Sequence, residues 1–88
     1  MTELLEYRIK RLAMRSMRRG IKEMDIILSA YATENLAKMD DAKITLYDHL
    51  LDENDQDLYQ WVTGQVVAPD KFIQMIAEIS VQMQSAKV

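Results

Sequence analysis

Gly20, Gly64 and Pro69 are the only glycines and the only proline in 88 residues, and that scarcity constrains the fold more than any other feature. Strands need turns at short intervals, and turns draw on Gly and Pro, so a loop-rich or all-β design is disfavoured. The length allows one domain, residues 1–88, and a chain of this size buries only about 60% of its unfolded surface. No Cys is present to staple so thin a core, and its absence also removes a thiolate zinc site and a thiol nucleophile. Idealised helix packing is the remaining route to stability. The expected fold is all-α, a compact antiparallel bundle of about five short helices.

Apolar spacing outlines these helices. The first is expected from Glu3 to about Arg18, with Leu5, Ile9, Leu12 and Ser16 or Met17 near one face. Gly20 interrupts that pattern. It is expected to take the left-handed conformation that ends a helix, with Arg18 and Arg19 placed where cations favour a C-terminus. A second helix runs from about Lys22 to Lys38, with Met24, Ile27, Leu28, Tyr31 and Ala32 at helical spacing and Glu23 and Asp25 in its first turn. Asp40 or Asp41 caps a third helix carrying Ile44, Tyr47, Leu50 and Leu51. The polar stretch Asp52-Glu53-Asn54-Asp55 breaks it. A short fourth helix then turns Leu58, Trp61 and Val62 inward and ends near Gly64. Pro69 and Asp70 open the fifth, with Phe72, Met75, Ile76, Ile79 and Met83 along one face. Met24 and Met75 read as core; Met14 and Met17 fit either a core or an adaptable recognition surface.

The net charge of -3 conceals an asymmetry. Residues 1–22 hold seven basic groups, Arg8, Lys10, Arg11, Arg15, Arg18, Arg19 and Lys22, against Glu3 and Glu6. Residues 23–88 hold four basic and twelve acidic groups. Such a split suggests a basic surface that meets a negatively charged partner. The alternative is that the basic helix pairs with the acidic remainder of its own fold. A nucleic-acid-binding or regulatory helical module built on the first helix is a second functional reading, since arginines contact phosphates. Tyr7 is the one aromatic there and the chain is acidic overall, so no nucleic-acid partner is expected.

The parts of an enzyme are missing. His49 is the only His, and its neighbour Asp48 does not face it on a helix. A calcium loop beginning at Asp52 would put Asp57 at the position that requires Gly and Thr63 at the position that requires Glu. No phosphate-cradling glycine loop is present. No apolar run approaches the roughly 20 residues that span a bilayer, so no membrane insertion is expected. The first residues, MTELLEYRIKRLAMRSMRR, have no apolar stretch of a secretory signal. They are Arg-rich and amphipathic, as mitochondrial transit peptides are, but they carry Glu3 and Glu6 and few hydroxyls. A cytoplasmic location is the expectation.

The informative cluster is Arg18-Arg19-Gly20-Ile21-Lys22-Glu23-Met24-Asp25, which sets cations, a permissive backbone and two carboxylates in one tight helix–helix turn. Plain capping and a functional surface turn both account for it. Here the sequence resembles a known family. Arg19-Gly20-x-x-Glu23 is similar to the RGxxE motif of the FAD assembly factors of succinate dehydrogenase, the SdhE family. The wider string RSMRRGIKEMDIILSAYA resembles that family's first turn and second helix, and LYDHLLDENDQDLYQWVTGQ resembles its second signature. The likeness runs in order over about residues 8–80. Two departures stand out. Gln56 occupies a place where relatives often have Pro, which is expected to loosen the start of the fourth helix, and Val66-Val67-Ala68 is unusually apolar.

The resemblance implies a small helical assembly chaperone, not an enzyme. Its partner would be the flavoprotein subunit of succinate dehydrogenase, with the fumarate reductase flavoprotein as a further client. It would promote covalent attachment of FAD to a His of that subunit. The same resemblance implies Arg19, Gly20 and Glu23 as partner-contacting residues, flanked by Arg18 and Asp25. It implies no stably bound cofactor in this chain, FAD being handled by the partner.

Overall fold

The helices form where the apolar spacing puts them, and polar side chains set several of their ends. A computed structural model describes residues 4–85. In chain order these are α1 (Leu5–Met17), α2 (Lys22–Asn35), α3 (Asp41–Leu50), α4 (Asp55–Val62) and α5 (Ile73–Ser85), with single 3-10 turns at Leu36–Lys38 and Asp70–Phe72. No strand occurs among the described residues. The expected start of the first helix at Glu3 lies outside them. The second helix stops at Asn35, and its last turn tightens into the 3-10 turn, where the Met39 N–H reaches Leu36 O at 3.3 Å.

Asp40 caps α3, its carboxylate accepting from the Lys43 N–H at 2.8 Å, and Asn54 caps α4 by accepting from the Gln56 N–H at 2.8 Å. The second cap corrects the expectation about Gln56. A proline there has no N–H to give; glutamine supplies one, and the start of α4 is fastened instead of loosened. α4 ends in a Schellman arrangement. The Gln65 N–H bonds Gln60 O at 2.8 Å, the Gly64 N–H bonds Trp61 O at 3.2 Å, and Gly64 has φ +81°.

One cluster of buried side chains joins all five helices: Leu12, Met24, Leu28, Tyr31, Ile44, Tyr47, Leu50, Leu58, Val62, Phe72, Met75 and Ile79 are at its centre. Tyr31 and Tyr47 pack at a 46° tilt with ring centroids 5.6 Å apart, and the half-buried Trp61 lies 6.1 Å from Phe72. Ser16 is buried among them. Its hydroxyl donates to Leu12 O at 2.8 Å and meets the Tyr47 hydroxyl at 2.6 Å, so neither polar group is stranded.

Chain neighbours α1 and α2, joined by the short Arg18–Ile21 turn, run antiparallel, which makes α1 and α3 parallel. The cross-links between α1 and α3 show this register. Arg8 bonds Asp41 and Thr45, Arg11 bonds Asp48, Arg15 bonds Asp48 and Asp52, each partner further along α3 or just past its end. One part of the expected core on α1 is therefore corrected, and of the pair Ser16 or Met17 the buried member is Ser16. Leu5 is exposed because α3 begins at Asp41, opposite Arg8, and does not cover the first turn of α1. Met17 is exposed because Ser16 takes the inward position and the next residue is turned about 100° away.

Candidate functional site

The turn between α1 and α2 is built around a residue from elsewhere, Asp55, the first residue of α4. The Asp55 carboxylate accepts from Arg19 Nε at 2.7 Å, from the Gly20 N–H, and from the Ile21 N–H at 3.3 Å. Arg19 extends over the end of α3 and donates to Leu51 O at 2.9 Å and Glu53 O at 3.1 Å. Its backbone N–H donates to Asp25 Oδ1 at 2.5 Å. The Arg19 and Asp55 side chains are only 10% and 13% exposed. A single ion pair with backbone bonds on both sides thus fixes the turn to α2, to the α3–α4 connection and to α4.

This geometry corrects the expectation that Gly20 takes a left-handed conformation. The only described residue with positive φ is Gly64, and α1 ends at Arg18, with φ -117° and ψ 57°. Gly20 eases a close approach. A Cβ there would stand 3.3 Å from Asp55 Oδ2, against the carboxylate that the turn closes on. Asp25 likewise does more than sit in a helix's first turn: it reaches back to hold the Arg19 N–H.

The five singled-out residues therefore divide. Arg19, Gly20 and Asp25 are held in the internal network with Asp55. Arg18 and Glu23 are exposed, and neither has a hydrogen bond or ion pair among the described residues. Arg18 borders an open depression shared with Met14 and Arg15; Glu23 borders an apolar cleft between α2, α4 and α5. Asp55 was absent from the sequence-based set. The acidic stretch 52–57 was its only signal, and nothing in the spacing shows that one of those carboxylates crosses 35 residues to Gly20.

The basic first helix is also reassigned. Arg8, Arg11 and Arg15 face α3 and pair with Asp41 at 2.6 Å, with Asp48 at 2.9 and 2.6 Å, and with Asp52 at 2.6 Å. The hydrogen bond from Arg11 holds the Asp48 carboxyl below the usual carboxylate range, against the opposing effect of burial and with help from the charges of Arg11 and Arg15. The asymmetry of charge along the sequence is in this part an internal pairing, so the expected basic surface for a negatively charged partner is corrected: these three arginines are engaged. His49 is exposed. No described helix is long and apolar enough to cross a membrane.

A small all-helical module whose buried ion pair shapes a surface turn is the class of protein these features define. A family model described as the flavinator of succinate dehydrogenase matches residues 10–83. The chain belongs to that family, the one its two motifs resemble. It is 49% identical over 53 residues to a protein of Aspergillus terreus, covering 60% of this chain and 18% of that one. It is 43% identical over 61 residues to one of Meyerozyma guilliermondii, covering 69% and 45%. A Schizosaccharomyces japonicus protein is 43% identical over 63 residues, covering 72% and 44%. All three carry the name succinate dehydrogenase assembly factor 2, mitochondrial. The chain spans less than half the length of each. These names overturn the expected cytoplasmic location, since each relative is a mitochondrial protein. Compartment is set by address signals read by receptors, and the balance of Glu and hydroxyl residues in a folded helix does not report it.

Proposed function

We propose that this chain binds the flavoprotein subunit of succinate dehydrogenase, and the related fumarate reductase flavoprotein, and promotes covalent attachment of FAD within it. The observation that carries this reading is the Asp55-locked turn, which holds Arg18 and Glu23 as charged side chains on a rigid exposed rim. Family membership supplies the client class.

The mechanism is one of shape. Arg19, Gly20 and Asp25 keep the backbone of the turn in one conformation, so little ordering entropy is lost when it docks. Glu23 accepts hydrogen bonds from donors of the client, and Arg18 pairs with a client carboxylate. A helper bound to one client conformation raises its population by its differential affinity for that conformation. If that conformation aligns the flavin with the client His, the bond forms without a reacting group from this chain. FAD stays with the client throughout.

The test is covalent flavin fluorescence of the client band in a denaturing gel, after incubating apo-subunit and FAD with wild-type chain or Glu23→Ala. Flavinylation is expected to rise with wild-type chain and to fall back toward the unassisted level with the variant. Because the Glu23 side chain is exposed and makes no hydrogen bond or ion pair among the described residues, the variant is expected to stay folded. Full flavinylation with folded Glu23→Ala would remove Glu23 from the site.

A further inference from the structure

Glu23 stands at the mouth of a cleft of about 380 Å³ formed by α2, α4 and α5. Ile26, Ile27 and Ala30 supply one wall, Tyr59 and Thr63 the second, and Met83 and Gln82 the third, so the lining is mostly apolar. Ile26 is 62% exposed, although α2 turns its own core face, Met24, Leu28 and Tyr31, in another direction. Among the described residues Glu23 is the only charged group lining the cleft. It lies three residues before Ile26 and four before Ile27, on the same side of the helix. None of the described cations reaches it. The cleft therefore combines apolar walls with one unpaired carboxylate at the rim.

That combination selects its occupant. The walls favour an apolar side chain, and a lone carboxylate beside them favours a cation next to it, because opposite charges at the rim fix register and repel acidic competitors. The volume is at the small end of ligand pockets, about 300–1,000 Å³, and suits side chains of a protein segment. Concave, partly enclosed sites of this sort hold the few side chains that dominate an interface. The cleft is also continuous, through Glu23, with the rim assigned above to client docking.

We infer that this cleft is the anchor pocket for the client: it takes an apolar side chain from a segment of the flavoprotein subunit, and an Arg or Lys adjacent in that segment pairs with Glu23. The inference rests on the proposed client-docking function. It adds a second contact area, formed by α2, α4 and α5, to the turn itself.

The experiment measures affinity of the purified flavoprotein subunit for four forms of the full chain by titration calorimetry. Ala30→Phe fills the cleft and Ile26→Ser makes its exposed wall polar. Val67→Ser alters an exposed loop residue away from the cleft-lining set. Circular dichroism melts establish that each variant is folded. Ala30→Phe and Ile26→Ser are expected to weaken binding at least tenfold, about 1.4 kcal/mol, with Val67→Ser unchanged. Wild-type binding together with less than a twofold effect of both cleft variants overturns the anchor pocket and leaves the client reading intact. Absence of wild-type binding overturns the client reading and the pocket with it. A change in sedimentation of the chain alone, without a change in client affinity, identifies a second copy of the chain as the occupant and also overturns the inference.

Discussion

Removing the Asp55 carboxylate tests whether the turn is held as described. In Asp55→Ala, Arg19 keeps Leu51 O and Glu53 O as acceptors but loses its counter-charge, and the Gly20 and Ile21 N–H groups lose their acceptor. Stranding one member of a buried pair costs about 3–5 kcal/mol. The two remaining carbonyl contacts and the slight exposure of both side chains place the effect at the lower end, about 3 kcal/mol. For a domain of this size that corresponds to a fall in Tm of about 12–24 °C. Urea unfolding followed at 222 nm measures the cost directly. A double-mutant cycle with Arg19→Met isolates the pair, and a coupling of about 2 kcal/mol is expected. If Asp55→Ala costs less than about 1 kcal/mol and shows no coupling to Arg19, the network does not stabilise the turn and the preorganisation argument fails.

Two further outcomes follow from the polar contacts. Burial pushes the Tyr47 hydroxyl up to about 12, against the lowering effect of its bond to Ser16, and burial with the Glu78 contact raises Tyr31 further. A raised folded-state value means that this contribution is intact below the ordinary tyrosine value near 10 and is lost as pH climbs through 12. Urea midpoints measured from pH 9 to 12 are expected to fall accordingly, and a flat profile contradicts the burial of these hydroxyls. At the acid end the depressed Asp48 carboxyl contributes stability above the usual carboxylate range, which disappears as pH drops through its lowered value. Separately, wild-type chain is expected to pass through a heparin column at about 0.15 M salt, where screening acts over about 8 Å, while Asp48→Asn with Asp52→Asn is retained because Arg11 and Arg15 lose these acidic partners. Equal retention of the two would mean that the arginines are available to polyanions all along.

Much of the fold was legible because helix periodicity is a local property. Met24, Leu28, Tyr31 and Ala32 recur at a spacing that only a helix can bury, and Ile44, Tyr47, Leu50 and Leu51 do the same in α3. Asp40 announces its cap by residue type alone. The errors sit where a position depends on a neighbour far along the chain. Leu5 has the right spacing to be buried, but α3 begins too far along α1 to cover it. Gly20 has the chemistry of a left-handed cap, but its smallness serves the approach of Asp55. Left-handed geometry falls instead to Gly64, where the sequence offered the same residue and no further sign.

The same logic divides the candidate site. A run of cations before a glycine looks like one binding surface, yet sequence order interleaves two populations. Arg8, Arg11 and Arg15 recur at three- and four-residue intervals within α1, so all three lie toward α3 and pair there with Asp41, Asp48 and Asp52, while Arg19, past the end of the helix, is carried to Asp55 by the turn. Arg18, the cap residue between α1 and that turn, is exposed. Period therefore marks the three arginines of α1 as structural, whereas Arg18 and Arg19 are told apart only by the approach of Asp55. The RGxxE motif divides in the same way: its Arg and Gly are held by Asp55 in the turn, and its Glu, on the first turn of α2, is exposed. A substitution at Arg19 should consequently weaken function through the fold, one at Glu23 through contact alone, and stability measured beside client affinity tells the two apart.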